Sequence, residues 1–345
     1  FIQSNMTCYT FTMKEPHLAL YRKYRPQTFG DVVGQEQVVN LLESAIKQKK
    51  VGHAYLFCGG RGTGKTSVAR IFARDIGCNP EDIIEIDAAS NRGIDEIREL
   101  RDAVRTAPFS SPYKVYIVDE AHMLTKEAAN ALLKTLEEPP SHVIFILATT
   151  DPDKLPQTIV SRCQKIVFKS PDVKTISKRL TYVVTQEGSS ISDDSADLIA
   201  RHGKGSYRDA LGTLEQILAT GGKNIKDEEV KLNLGTPDYE LMVSLIESIC
   251  TKNGKEILGI TEKLKLSNSS ALHTYDELLE MVGLALLIRV GENKEKIGDL
   301  ARLATEYPHT IGSKLVLELL EKRHLLEVSS NHSWAAFEAI LLSII

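Results

Sequence analysis

An α/β domain built on a five-stranded parallel sheet, followed by two smaller helical units, is the fold class this sequence predicts. Three observations lead there. The chain has 345 residues, 42% of them hydrophobic and 26% charged, which at about 150 residues per domain means two or three globular domains. From Val51 to Lys169, strand-length apolar runs alternate with helix-like stretches. After Ser170-Pro171 the strand signal fades, and apolar residues recur at helical spacing instead.

The elements follow in order. Residues 1–16 show neither a helical nor a strand period and lack the basic flank and apolar core of a signal peptide, so they read as a loose leader. Over 17–170, the runs Ala54–Cys58, Ile83–Ile86, Val115–Val118, Val143–Thr149 and Lys165–Phe168 are almost continuously apolar. Such strands are buried on both faces, which indicates a parallel sheet covered by helices. Over 171–222, Val173–Glu187 and Ser195–His202 read as amphipathic helices of a small second domain. Gly221-Gly222-Lys223 is a breaker cluster. Beyond it, Tyr239–Cys250, Tyr275–Val290 and Ile311–Leu326 read as helices of a third, all-helical domain over 223–345, closed by the apolar stretch Trp334–Ile345.

Composition excludes other classes. With 22 Gly and 12 Pro the chain is neither collagen-like nor disordered. No apolar run approaches the roughly 18 residues of a membrane span, so a soluble protein with no membrane partner is expected. Five cysteines (Cys8, Cys58, Cys78, Cys163 and Cys250) lack paired spacing, which implies reduced thiols and a cytoplasmic setting. The net charge of −4 provides no global positive field, so any contact with nucleic acid must come from locally placed basic residues.

Gly59-Gly60-Arg61-Gly62-Thr63-Gly64-Lys65-Thr66, continuing into Ser67, fits the phosphate-loop pattern between a strand and a helix. Glycines let backbone N–H groups curl round phosphates, the helix N-terminus favours negative charge, Lys65 reaches the β/γ oxygens and the Thr66 hydroxyl ligates Mg²⁺. A second acidic signal, Asp119-Glu120, ends the apolar run Val115–Val118. Asp119 is the second Mg²⁺ ligand, and Glu120, at the sheet edge where ligands bind, is the candidate general base. The bland alternative is two carboxylates capping the next helix. Thr149 and Thr150 end another buried run and suit the sensing of a γ-phosphate; alone they read as a strand-to-turn junction. Isolated arginines such as Arg162 and Arg208 are usually solvated.

Together with these stretches, Tyr21–Pro26, Phe29, Val32–Gln35, Asp119–His122, Ala148–Thr150, Ser161–Cys163 and Gly205–Leu211 resemble the AAA+ clamp-loader ATPases, of the gamma/tau type of bacterial DNA polymerase III. The resemblance runs in order from about Leu20 to Leu218 and implies an AAA+ P-loop domain, a helical lid and a helical collar. It further implies that Tyr24, Arg25, Val32 and Val33 line the adenine pocket. Thr149 or Thr150 would be the first sensor and Arg208 the second. Arg162 would be an arginine finger inserted into a neighbouring subunit's site. The implied cofactors are ATP and Mg²⁺. The implied partners are further gamma/tau copies, delta, delta-prime, the beta sliding clamp and primed-template DNA.

One departure concerns zinc. The family inserts a four-cysteine module after the phosphate-loop helix, whereas here Gly77-Cys78-Asn79-Pro80-Glu81-Asp82 leads straight into Ile83. One thiol cannot make a tetrahedral site, so no zinc is expected. The chain stops where the third domain should end, which corresponds to a gamma-like product or to a truncated longer form. Two other readings are a non-hydrolysing delta-prime-like scaffold and an AAA+ branch-migration helicase. The first conflicts with Lys65, Thr66, Asp119 and Glu120, and the second lacks a β-hairpin signal for a winged helix in 225–345. No polymerase carboxylate constellation is present, so any nucleotidyl transfer would belong to an assembly.

Overall fold

The computed structural model describes residues 18–90, 103–220, 222–266, 269–291, 298–329 and 332–345. The expected leader, 1–16, lies outside them. The chain divides into two compact units, Phe1–Asn224 and Ile225–Ile345.

In the first unit, strands β1 (Ala54–Cys58), β2 (Ile83–Asp87), β3 (Lys114–Asp119), β4 (Val143–Thr149) and β5 (Gln164–Val167) form one sheet in the order β2-β3-β4-β1-β5, all pairs parallel. The strand period of two explains the unbroken apolar runs. Tyr55, Phe57, Val115, Ile117, Ile144 and Ile146 enter the core on one face, where Leu42 and Phe72 meet them from helices α2 (Glu36–Lys47) and α3 (Lys65–Asp75), which follow the short helix α1 (Leu20–Lys23). Leu56, Tyr116, Val118, Phe145 and Leu147 enter the core on the other, against Leu132 and Ile159 of helices α4 (Lys126–Glu137) and α5 (Gln157–Val160). Both faces of the central strands are therefore covered, whereas the edge strand β5 corrects the expectation of full burial: Gln164, Lys165 and Val167 are exposed there.

This topology fixes where a ligand can bind. The chain leaves β1 through α3 on one face and leaves its neighbour β4 through α5 on the other. Connections that diverge from adjacent parallel strands open a crevice at the carboxyl edge of the sheet. Beyond β5 lie α6 (Val173–Gln186), α7 (Asp193–His202) and α8 (Tyr207–Thr220). The first two begin on side-chain caps: Asp172 accepts from the Thr175 N–H, and Ser192 from the Ser195 N–H.

The short connection between α3 and β2 closes on a buried carboxylate. A 3-10 turn, Pro80–Asp82, presents Asp82 to the backbone N–H groups of Phe109 (2.6 Å) and Ser110 (3.1 Å). Burial alone would push this carboxyl up, but these donors, with Ser111, outweigh it and hold the carboxyl below its ordinary value.

The second unit packs helices around one core containing Leu245, Ile257, Leu278, Leu303, Leu319 and Phe337. The expected single helix Ile311–Leu326 is corrected: Ser313–Lys322 and His324–Val328 are separate helices. At the break, Arg323 N–H donates to the Leu320 carbonyl and Leu326 N–H to the Arg323 carbonyl, a tightened i−3 pattern in place of i−4. Arg323 also makes paired hydrogen bonds to Asp276 at 2.7 and 3.1 Å, anchoring the junction to the helix Ala271–Val290. Buried Tyr275, on that same helix, donates its hydroxyl to the Leu319 carbonyl at 2.8 Å.

Asp82→Ala removes the acceptor of two backbone donors and should cost about 2 kcal/mol in urea unfolding at neutral pH. Because the native carboxyl titrates below its unfolded value, the Asp82 contribution is complete above about pH 4 and is lost as pH falls through the native pKa. The wild-type and variant stabilities should converge there.

Candidate nucleotide site

The carboxyl end of β1 runs into the glycine-rich loop. At Gly59 a Cβ would lie 2.5 Å from the Phe168 carbonyl oxygen, so the close approach of the loop to β5 requires glycine. Gly62 has φ +70°, and a Cβ there would meet the Ser206 hydroxyl at 2.0 Å. The loop ends in α3, whose first residue, Lys65, is only 5% exposed. Its ammonium donates to the carbonyls of Gly59 and Gly60, both at 2.8 Å. Burial lowers the Lys65 pKa, and the facing carboxylates of Glu120 and Asp119 oppose that shift.

One residue on, the Thr66 hydroxyl donates to Asp119 Oδ2 at 2.7 Å, which joins α3 to the end of β3. Asp119 Oδ1 accepts from the Glu120 N–H at 3.0 Å. Glu120 itself is left-handed, with φ +48° and ψ +44°, an uncommon backbone state for a side chain of this kind. Its carboxylate makes no capping bond to the 3-10 turn Ala121–Met123 that follows, so helix capping does not account for it. The Thr150 hydroxyl donates to Glu120 Oε2 at 3.3 Å. Thr149 is fully buried, and its hydroxyl oxygen accepts from the Asp151 N–H at 3.0 Å with His122 Nδ1 at 3.1 Å.

A single cleft, part of it open to solvent, gathers most of these groups. Tyr24, Arg25, Val32, Val33, Arg61, Gly62, Thr63, Gly64, Lys65, Thr66, Ser67, Asp119, Glu120 and Arg208 all line it. Gly59 and Gly60 do not; their carbonyls hold Lys65 from beneath. Thr149 and Thr150 stand behind Glu120, outside the lining.

Arg162 also lies outside it, near the surface, where its guanidinium donates to Glu137 Oε1 at 2.6 Å and to the Thr158 carbonyl at 2.7 Å. Sequence reasoning assigned no role to Tyr21, Asp31, Arg179, Tyr207 and Leu211, which also line the cleft. Tyr207 donates its hydroxyl to the Val33 carbonyl at 3.0 Å, and burial pushes its pKa up to about 12, so it remains a neutral donor. Arg179 donates to the Tyr24 carbonyl at 2.8 Å, while the Arg208 guanidinium lies 5.8 Å from the Tyr21 ring centre. The helices α6 and α8 thus bind the Tyr24–Val33 side of the cleft through backbone carbonyls.

The hydroxyl of Thr66 and the carboxylate of Asp119 are hard oxygen donors beside the phosphate loop. This donor set suits Mg²⁺, which commonly takes one or two protein ligands and completes its shell with water and substrate phosphates. Among the described residues no group of three or more His, Cys, Asp or Glu side chains could hold a metal ion. Cys78 is buried, its thiol donates to the Tyr113 carbonyl at 3.2 Å, and burial with the nearby Asp82 pushes its pKa up to about 11.

A parallel sheet with a phosphate loop at its crevice and a helical lid over it defines an AAA+ P-loop ATPase fold. Comparison with known proteins narrows this class. The family model for "DNA polymerase III, delta subunit" matches residues 34–90 and 79–172, and that for "DNA polymerase III clamp loader subunit, ATPase lid domain" matches 175–223. The chain is 38% identical to DNA polymerase III subunit tau of Bacillus subtilis, over 94% of this chain and 63% of that protein. It is 35% identical to DNA polymerase III subunit gamma of Buchnera aphidicola, over 76% of this chain and 78% of the relative. The chain belongs to the DNA polymerase III gamma/tau family of clamp-loader subunits. It spans 63% of the Bacillus tau subunit and 44% of the Escherichia coli tau subunit. Among solved structures, the Thermotoga maritima RuvB Holliday junction branch migration motor superposes with a TM-score of 0.52 over 66% of this chain and 79% of that one, at 21% identity; this likeness is one of fold alone.

Gly62→Ala should lower thermal stability, because a side chain there combines a left-handed backbone with collision at Ser206, whose hydroxyl accepts from the Asp209 N–H at the start of α8. A loss of about 1–3 kcal/mol is expected. Combining it with Ser206→Gly should recover part of that loss in the same thermal scan, since only the collision is relieved.

Proposed function

We propose that this chain is an ATP-hydrolysing motor subunit of a cytoplasmic clamp loader, acting with further gamma/tau copies, delta and delta-prime to open the beta sliding clamp at primed-template DNA. One observation carries the reading: Lys65, Thr66, Asp119 and Glu120 meet in a single cleft, with the Thr66 hydroxyl 2.7 Å from Asp119.

The adenine end belongs to Tyr24, Arg25, Val32 and Val33, the last of them an apolar side chain left exposed. The phosphates belong to the backbone from Arg61 to Ser67 and to the Lys65 ammonium, which exchanges its carbonyl partners for phosphate oxygens. Thr66 and Asp119 would hold Mg²⁺, which when bound neutralises charge on the substrate phosphates. Glu120 orients and deprotonates the attacking water. Arg208, on the lid, senses the bound triphosphate in the same chain. As first sensor, Thr150 is better suited than Thr149, because the Thr149 hydroxyl is already engaged inside the fold.

Arg162 acts in a neighbour's cleft. Its ion pair with Glu137 is half exposed, and such pairs contribute about 0–1 kcal/mol. A finger worth roughly 10³ to 10⁵ in rate easily outweighs breaking it. DNA would be held through its phosphates by basic and helix-N-terminal groups, without base reading. No helix among the described residues is long and apolar enough to cross a membrane.

A non-hydrolysing scaffold resembling delta-prime would have no use for Lys65, Thr66, Asp119 and Glu120 in this arrangement. A branch-migration motor needs a winged helix, and the described elements of the second unit are all helices.

Glu120→Gln should leave ATP binding within about twofold and abolish turnover, measured by nucleotide titration and phosphate release in the assembled complex. Parallel loss of both would contradict the base assignment. Arg162→Ala, doped into mixed assemblies, should suppress hydrolysis in the adjoining protomer while leaving the variant's own nucleotide affinity intact.

A further inference from the structure

Tyr207 lines the cleft and touches its backbone at two separate points. As the first residue of α8, it has an N–H with no acceptor inside the helix, and this group donates to the Gly62 carbonyl of the phosphate loop at 3.1 Å. Its hydroxyl donates to the Val33 carbonyl at 3.0 Å. One residue thus ties the start of α8 to the phosphate loop and to the chain at Val33.

Both junctions are close-fitting. A Cβ on Gly62 would lie 2.0 Å from the Ser206 hydroxyl and 3.3 Å from the Arg208 Cβ, so the residues on either side of Tyr207 rest against the loop. A Cβ on Gly34, which has φ +74°, would meet the Tyr207 hydroxyl at 3.2 Å. Arg208 follows directly and lines the same cleft. Burial lowers the Lys65 pKa and the Arg208 guanidinium adds to that shift, so the two cations face one region.

A contact at Gly62 alone would let the start of α8 pivot about it. The second contact, at Val33, opposes that rotation. Arg179 gives α6 its own hold on the Tyr24 carbonyl, but Tyr207 is the anchor adjoining Arg208 in the chain.

We infer that Tyr207 is a positioning residue for triphosphate recognition: by pinning the start of α8 at Gly62 and Val33, it holds the Arg208 guanidinium toward the phosphate end of the cleft. Tyr207 acts through Arg208, and the inference rests on Arg208 being the residue that senses the triphosphate.

The test measures equilibrium binding of a non-hydrolysable ATP analogue and of ADP, both with Mg²⁺, to the full chain. Tyr207→Phe keeps the ring and the N–H and removes only the hydroxyl. It should weaken binding of the ATP analogue about fivefold, the size of one hydrogen bond, and leave ADP affinity within about twofold. Arg208→Ala should weaken the ATP analogue at least about tenfold, again sparing ADP. In the Arg208→Ala background, Tyr207→Phe should add no further loss of discrimination, because the two residues act as one unit.

Equal weakening of both nucleotides by Tyr207→Phe would overturn the inference, as would full additivity in the double variant. An ATP-to-ADP affinity ratio unmoved by Arg208→Ala would remove the sensor reading beneath it. A ratio that falls in Arg208→Ala but stays at the wild-type value in Tyr207→Phe would remove this inference alone.

Discussion

A buried ammonium at the carboxyl end of β1 is the constraint on which the rest of the structure turns. An unpartnered charge in a protein interior is expensive, so Lys65 must be hydrogen-bonded wherever it lies. The glycine loop supplies two carbonyls at 2.8 Å, and it can do so only because Gly59 has no Cβ to strike Phe168. Across the cleft, Asp119 and Glu120 provide the opposing charge. A cation whose partners are replaceable carbonyls, facing two carboxylates at a helix N-terminus, is poised for an anion that arrives with its own metal.

The sheet order makes this meeting possible. Because β1 lies between β4 and β5, and β4 beside β3, the phosphate loop, the acidic end of β3 and the threonines ending β4 share one edge. The helices after β5 then complete the Tyr24–Val33 side of the cleft through Tyr207 on the Val33 carbonyl and Arg179 on the Tyr24 carbonyl. These contacts join the helices after β5 to the Tyr24–Val33 segment through backbone within one unit.

Much of this was legible in the sequence. The phosphate loop is a local pattern of eight residues, and the five apolar runs fall within one or two residues of the observed strands. What remained hidden was tertiary. Asp82 accepts from backbone 27 and 28 residues away, and nothing local marks it as buried. Arg179 sits within an amphipathic helix whose period says which face is apolar but not what its polar face touches. Gly254–Leu266 escaped notice because two glycines and five lysines or glutamates dilute its period. The helix break at Arg323 left no glycine or proline to betray it; long-range pairing with Asp276 accompanies it.

Arg162 lies outside its own cleft, which Arg25, Arg61, Arg179 and Arg208 line, and the proposed mechanism takes its finger from a neighbouring subunit. The direct measurement is the single-turnover hydrolysis rate per ATP bound, for the isolated chain and for the same chain reconstituted with its partner subunits, clamp and primed DNA. An increase on the order of 10³-fold or more on assembly is expected. An isolated chain that hydrolyses ATP as fast as the assembly would contradict it.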